Sequence, residues 1–152
     1  MKVKQKMVLS WAILLIWMVF IFYMSNQPAN ISNNQSNFVL NLIRNLGMDI
    51  EGIYVDIAIT IIRKGAHFTE YLILNILYFN VLRFYISNKK ALIYSIILSF
   101  IYSSTDELHQ TFVAGRAGRF TDVLIDTSGA ATGSILVFFI NKIIKRKAKA
   151  IK

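Results

Sequence analysis

The sequence predicts an all-α membrane protein, four transmembrane helices in one bundle, on three observations. Of its 152 residues 55% are hydrophobic and only 16% charged, a balance too apolar for an ordinary water-soluble domain and long enough for about four spans. Greasy runs alternate with polar ones along the chain. Charge is segregated as well: all eight acidic residues fall in segments that would face one side of a membrane, while both tails and one short loop are wholly basic.

From the N-terminus, Met7 to Met24 is an apolar run of 18 residues behind Lys2, Lys4 and Lys6; without a small-x-small cleavage site it reads as an uncleaved span over about 7–24. Ser25 to Glu51 is rich in Asn and Ser, yet Phe38, Leu42, Ile43 and Leu46 recur at helical spacing before Gly47, which fits an interfacial helix in the first outer loop. Ile53 to Ile62 is apolar but only ten residues long. Joined to the apolar stretch after Gly65, it makes a helix too long for one span with Arg63 and Lys64 near its middle, so the second span is expected over about 65–86 and the decapeptide stays unassigned. The third span covers about 91–110, its polar end Thr105 to Gln110 remaining helical and buried in protein. Gly115 and Gly118 mark a loop, and the fourth span runs over about 121–140 into a basic tail. One domain covers 1–152.

Orientation comes from a count. With both termini and the loop at Arg83, Lys89 and Lys90 in the cytoplasm, that side holds 12 basic and no acidic residues, against five basic and all eight acidic residues outside. The formal charge of +9 is thus explained by topology, and no aromatic-interleaved basic motif points to nucleic acid. The absence of Cys removes disulfides, thiolate metal sites and cysteine nucleophiles. No Gly-rich nucleotide loop and no Gly-x-Ser-x-Gly elbow occurs.

This topology gathers three polar clusters at one depth. Arg63, His67, Glu70 and Leu74 share a helix face that must turn from lipid, because an ionised Glu in hydrocarbon costs roughly 2.5–3.5 kcal/mol even on the lenient scale. Asp106 with His109, and Glu107 with Gln110, form two adjacent polar faces. Between Gly115 and Arg119 the loop offers Arg116 and Arg119, suited to phosphate or carboxylate. Asp122, Asp126, Gly129 and Gly133 form a stripe on the last span, its Gly-x-x-x-Gly step read as helix packing. Tyr71 is read as an interfacial aromatic.

Arg63-Lys64-Gly65-Ala66-His67-Phe68-Thr69-Glu70-Tyr71, then Asp106-Glu107-Leu108-His109-Gln110-Thr111-Phe112-Val113, then Gly115-Arg116 with Asp122 to Gly129, together resemble the VanZ-like family, as does Ser25-Asn26-Gln27. The ordered combination spans nearly the whole chain. The family often carries Pro where Ala114 stands and Asn where Asp126 stands, and the second departure leaves Asp126 out of the candidate catalytic set. The resemblance implies a multi-pass protein of the bacterial cell membrane in a context of tolerance to the glycopeptide teicoplanin; it implies no reaction.

Two functional readings stay open. In one, an enzyme acts on a lipid-linked or phosphate-bearing envelope substrate at the extracytoplasmic face. There His67 or His109 moves a proton, Glu70, Asp106 and Glu107 serve as acid, base or orienting groups, and Arg63, Lys64, Gln110, Arg116, Arg119 and Asp122 hold the substrate. In the other, the same residues bind or shield a lipid headgroup or lipoglycopeptide without turnover. No cofactor is expected. A divalent metal on His67, Glu70, Asp106 and His109 is the minor variant, since a His–carboxylate hydrogen bond is the commoner arrangement and no His-Glu-x-x-His spacing occurs.

Overall fold

The structure, a computed structural model, describes residues 2–48 and 50–150, except the side chains of residues 145, 149 and 150; Met1, Asp49 and the last two residues of the basic tail lie outside it. Among the described residues five helices succeed one another: α1 (Val3–Ser25), α2 (Ala29–Asn45), α3 (Tyr54–Leu82), α4 (Asn88–Gln110) and α5 (Phe120–Ala150). Among the described residues there is no strand. The centre is the triangle of α3, α4 and α5; α1 docks mainly on α3, and α2 lies against α3 near the end where the polar residues gather.

Two helices are long and apolar enough to cross a membrane: α1 and Phe120–Ala148 of α5. On α1 only Leu14, Ile21 and Ser25 are buried, and Val8, Leu15, Ile16 and Val19 stand bare. On α5 Ile135, Phe138, Phe139 and Ile140 are bare too. A helix apolar around its whole circumference and naked of protein suits hydrocarbon and would be a liability in water.

The expected break before residue 65 does not exist. The apolar decapeptide and the second span form one 29-residue helix, roughly 44 Å long against a hydrocarbon core of about 30 Å. The basic pair does not interrupt it, because Lys64 Nζ lies 3.2 Å from Asp122 Oδ1 on α5 and Arg63 lines two cavities. Gly65 has open space beside it and keeps helical geometry. The expected continuation of α4 through Thr105 to Gln110 is present, with Asp106, Glu107 and Gln110 all buried. Helix α2 starts directly after Pro28 and stops before Gly47, whose φ of 97° ends it. It buries Ser32, Ser36 and Leu40 and leaves Phe38, Leu42 and Leu46 exposed.

Small residues set the packing. Along α4, Ala91, Ser95, Ser99 and Ser103 recur every four residues, and each is fully buried. On α5 a Cβ added at Gly129 would collide with the Phe68 carbonyl oxygen of α3, and one at Gly133 would sit 2.7 Å from that of Leu72. The two backbones therefore pass at contact, as the Gly-x-x-x-Gly reading expects. At mid-bundle Asn75 of α3 donates to Ser95 Oγ of α4 (3.1 Å), and Ser134 Oγ of α5 donates to Asn75 Oδ1 (3.0 Å). This triad satisfies its own polar groups away from water.

Tyr71 is not interfacial. It is fully buried with Leu14, Ile21, Leu74, Tyr78 and Val81 in the cluster that fastens α1 to α3. Trp17 donates its indole N–H to the Glu70 carbonyl (3.0 Å), and Tyr102 its hydroxyl to the Met18 carbonyl (2.7 Å).

Gly129→Ala is expected to destabilise the protein by about 1–3 kcal/mol through overpacking, whereas Gly65→Ala is expected to be neutral or stabilising by up to roughly 1 kcal/mol. Thermal denaturation in detergent checks both; equal losses at the two positions would refute the close α3–α5 approach as the source of the effect.

Candidate functional site

One end of the bundle collects the ionisable side chains. Helix α3 supplies Arg63, Lys64, His67 and Glu70; α4 supplies Asp106, Glu107 and Gln110; the connecting loop supplies Arg116 and Arg119; α5 supplies Asp122 and Asp126. The loop is drawn inward. Gly115 turns it with φ 73°, and Gly118 lies directly on the Glu107 carbonyl, where any side chain would clash. That approach lets the Arg119 backbone N–H donate to Glu107 Oε2 at 2.8 Å.

Arg116 is a strap. Its Nε donates to the Gln27 carbonyl (2.8 Å), its two terminal nitrogens to the Met24 carbonyl (3.4 Å) and to Gln110 Oε1 (3.5 Å). It thereby ties the loop to the carbonyl end of α1, where cations are favoured, and to the end of α4. Burial, and next the nearby Arg63, pull its pKa down, yet a guanidinium stays charged in proteins. Arg63 differs: among the described residues its guanidinium has no hydrogen-bond or ion-pair partner, and it lines both cavities at this end.

The larger cavity, of about 600 Å³, lies against α2 and α3. Met24, Ile31, Phe38, Val39 and Ile62 give it apolar walls; Arg63, His67, Glu70, Asp106 and Arg116 give it charge. A smaller one, of about 110 Å³, is bordered by Arg63, His67, Gln110, Arg116, Arg119 and Asp122.

Beneath them sits an inner group. His67 Nδ1 is 3.5 Å from Asp126 Oδ1, and Asp126, with no solvent exposure, accepts from Ser103 Oγ through its other oxygen at 2.6 Å. Ligand atoms of His67, Glu107 and Asp126 lie within 4.8 Å of one another, the one arrangement among the described residues that could hold a metal. The set His67, Glu70, Asp106 and His109 does not converge in this way.

Of the candidate residues in the sequence, His109 alone stands apart. Its Nε2 is 3.2 Å from Asn26 Oδ1 and its ring stacks near Phe22 at 4.9 Å; it lines neither cavity. Glu107 therefore orients toward His67, not His109. Two participants lie outside the set that the sequence suggests. Asp126 belongs to the inner group, as its i, i+4 spacing from Asp122 indicates and the family's tendency toward Asn obscures. Nothing in the sequence marks Ser103 as its hydrogen-bond donor.

Among the described residues the chain is all-helical, two of its helices are apolar and bare of protein over much of their surface, and a buried ionisable cluster lies beneath an amphipathic cavity, the features of a membrane protein with a polar site at one end of its bundle. The profile of the VanZ/LLP1 family matches residues 10–141, and the chain belongs to that family. Among curated proteins and among solved structures none matches it.

The strap makes a direct test. Arg116→Lys keeps the charge but loses the fork, and is expected to cost about 1.5–3 kcal/mol of stability in detergent; His109→Ala is expected to stay within roughly 0.5 kcal/mol. Equal melting temperatures for Arg116→Lys and the wild type would show the three contacts to be energetically idle.

Proposed function

We propose that the chain is a four-span protein of the bacterial cell membrane, with α1, α3, α4 and α5 crossing, both termini cytoplasmic and the ionisable site on the extracytoplasmic side. Its distribution of Lys and Arg supports that orientation. The bare Phe38, Leu42 and Leu46 of α2 support a helix lying in the interface. The chain has no Cys, so single cysteines report cleanly: a membrane-impermeant maleimide should label Asn33→Cys and spare Ser87→Cys in intact cells. The opposite pattern rejects the orientation.

Its function, in this reading, is to bind a lipid-linked envelope molecule through a phosphate-bearing headgroup and so contribute to glycopeptide tolerance. One observation carries this: the large cavity joins apolar walls to an uncommitted Arg63. Apolar walls take an acyl or prenyl chain. Arg63 takes a phosphate oxygen, with Arg116 adding field, while the cavity carboxylates Glu70 and Asp106 suit hydroxyl or ammonium donors on the same headgroup.

A catalytic reading draws on a different observation, the contact of cavity-lining His67 with buried Asp126. A carboxylate holding one imidazole nitrogen fixes the ring and stabilises its protonated form, which suits it to move a proton at a bound headgroup.

Binding of a polyprenyl phosphate, followed by native mass spectrometry in detergent, tests the first reading. The wild type should retain the phosphate and not the free alcohol, and Arg63→Ala should weaken retention by about tenfold or more, the loss expected for one charged hydrogen bond. Teicoplanin tolerance of a sensitive host should rise with the wild type and fall with Arg63→Ala at matched membrane levels. Equal retention of alcohol and phosphate would sink the headgroup assignment.

A further inference from the structure

The inner group contains three buried atoms without a hydrogen-bond partner among the described residues, His67 Nδ1, Glu107 Oε1 and Asp126 Oδ1, although the first and last stand in ionic contact at 3.5 Å. Their residues come from three different helices, and one ligand atom of each lies within 4.8 Å of the other two. The second oxygen of each carboxylate is already held, Asp126 Oδ2 by the Ser103 hydroxyl and Glu107 Oε2 by the Arg119 backbone N–H. Both carboxylates are therefore held through one oxygen, and the other oxygen of each has no hydrogen-bond donor, that of Asp126 standing against the imidazole.

We propose that His67, Glu107 and Asp126 bind one divalent transition-metal ion, of the zinc or manganese class. Charge argues for it. Two buried carboxylates face one imidazole; of the neighbouring cations Lys64 is held by Asp122 and Arg116 by the ends of α1 and α4, while Arg63 and Arg119 line the cavities and make no side-chain bond to either carboxylate among the described residues. An ion pair between His67 and Asp126 leaves Glu107 Oε1 without a donor, and uncompensated carboxylates are costly away from water. A divalent cation answers all three atoms at once.

Geometry and donor type agree. Two ligands at about 2.1 Å on a tetrahedral ion stand roughly 3.4 Å apart, and His67 Nδ1 to Asp126 Oδ1 is 3.5 Å. One imidazole and two carboxylates without thiolate suit zinc or manganese. Ser103 and the Arg119 amide are the outer contacts that hold ligating carboxylates in place. Three protein ligands leave a position open to water or an anion, on the side where His67 borders both cavities.

The test uses full-length protein purified through a histidine-free tag, stripped with chelator, dialysed against Zn²⁺ or Mn²⁺ and assayed for retained metal and melting temperature. The wild type should retain one ion per chain and melt higher with it. Asp126→Asn and Glu107→Gln should lose the ion, Ser103→Ala should weaken affinity by about 10–100-fold, and His109→Ala should keep it. Should the carboxylate variants fail to fold, electron-spin-echo spectra of Mn²⁺ in the His109→Ala protein decide. Modulation from a coordinated imidazole nitrogen then supports the site, since His67 is the remaining histidine, and its absence overturns it. A wild type that retains no ion, or one whose Asp126→Asn variant retains as much, also overturns it. If the wild type is metal-free and Asp126→Asn stabilises it, the two carboxylates share a proton instead. These readouts are independent of headgroup binding.

Discussion

Removing carboxylates from water is the constraint on which this structure depends. Glu70, Asp106, Glu107, Asp122 and Asp126 crowd one end of an otherwise apolar bundle, and each must find compensation inside the protein or be lost to desolvation. The loop between α4 and α5 provides much of it. Gly118 permits backbone contact with α4, the Arg119 amide reaches Glu107, and Arg116 spans from the loop to α1. A loop folded over the site thus belongs to the bundle's polar network, and its two glycines are there for geometry: Gly115 for a positive φ, Gly118 for a contact no side chain allows.

The same constraint explains which parts are legible in the sequence. Helix α4 and its buried polar end can be read because ionisable residues at lipid depth have to face protein, and Arg63, His67 and Glu70 can be read as one face because helical periodicity fixes it. The boundary of α3 cannot. Span length argues against a 29-residue helix with a basic pair near its middle, yet α3 runs through that pair, with Lys64 engaged by Asp122. His109 illustrates the opposite error: its i, i+3 spacing from Asp106 suggests that both face inward, whereas a few tens of degrees around the helix separate the cluster from the Asn26 contact. For Asp126, a family tendency toward Asn points away from the site while its own position on the stripe of α5 points into it, and position decides. Ser103 carries no chemical signature until its neighbour across the bundle is known.

Side-chain size along the helices accounts for where the cavities lie. Along α4 toward the site, fully buried Ala91, Ser95, Ser99 and Ser103 give way to Asp106, Glu107 and Gln110. Along α5 in the same direction, Ser134, Gly133, Ala130 and Gly129 give way to Asp126 and Asp122. Small residues let backbones touch, and the Asn75 triad closes the middle with hydrogen bonds. Larger ionisable groups at the far end cannot pack to the same density without leaving polar atoms unmet. The two cavities and the orphaned carboxylate oxygens appear at that end, and the scaffold and the site therefore occupy successive segments of the same three helices.

Under the proposed binding reading, that division makes α2 the element that decides access. Helices α3, α4 and α5 are fastened to one another through small residues and buried hydrogen bonds, while α2 meets α3 through Ser32, Ser36 and Leu40, with one backbone bond from the Ala29 N–H to the Ala114 carbonyl at 3.2 Å. This contact buries Leu40 and two serines, whereas α3 and α5 meet backbone to backbone at Gly129 and Gly133. Phe38 and Val39 wall the large cavity from α2 and Ile62 walls it from α3. Phe38 and Val39 are thus the wall that α2 contributes, while His67, Glu107 and Asp126 stand on α3, α4 and α5. Under the proposed binding of a long-chain ligand, the wall that ligand would part and the group beneath it belong to different helices, so its entry and the close placement of the inner group do not compete.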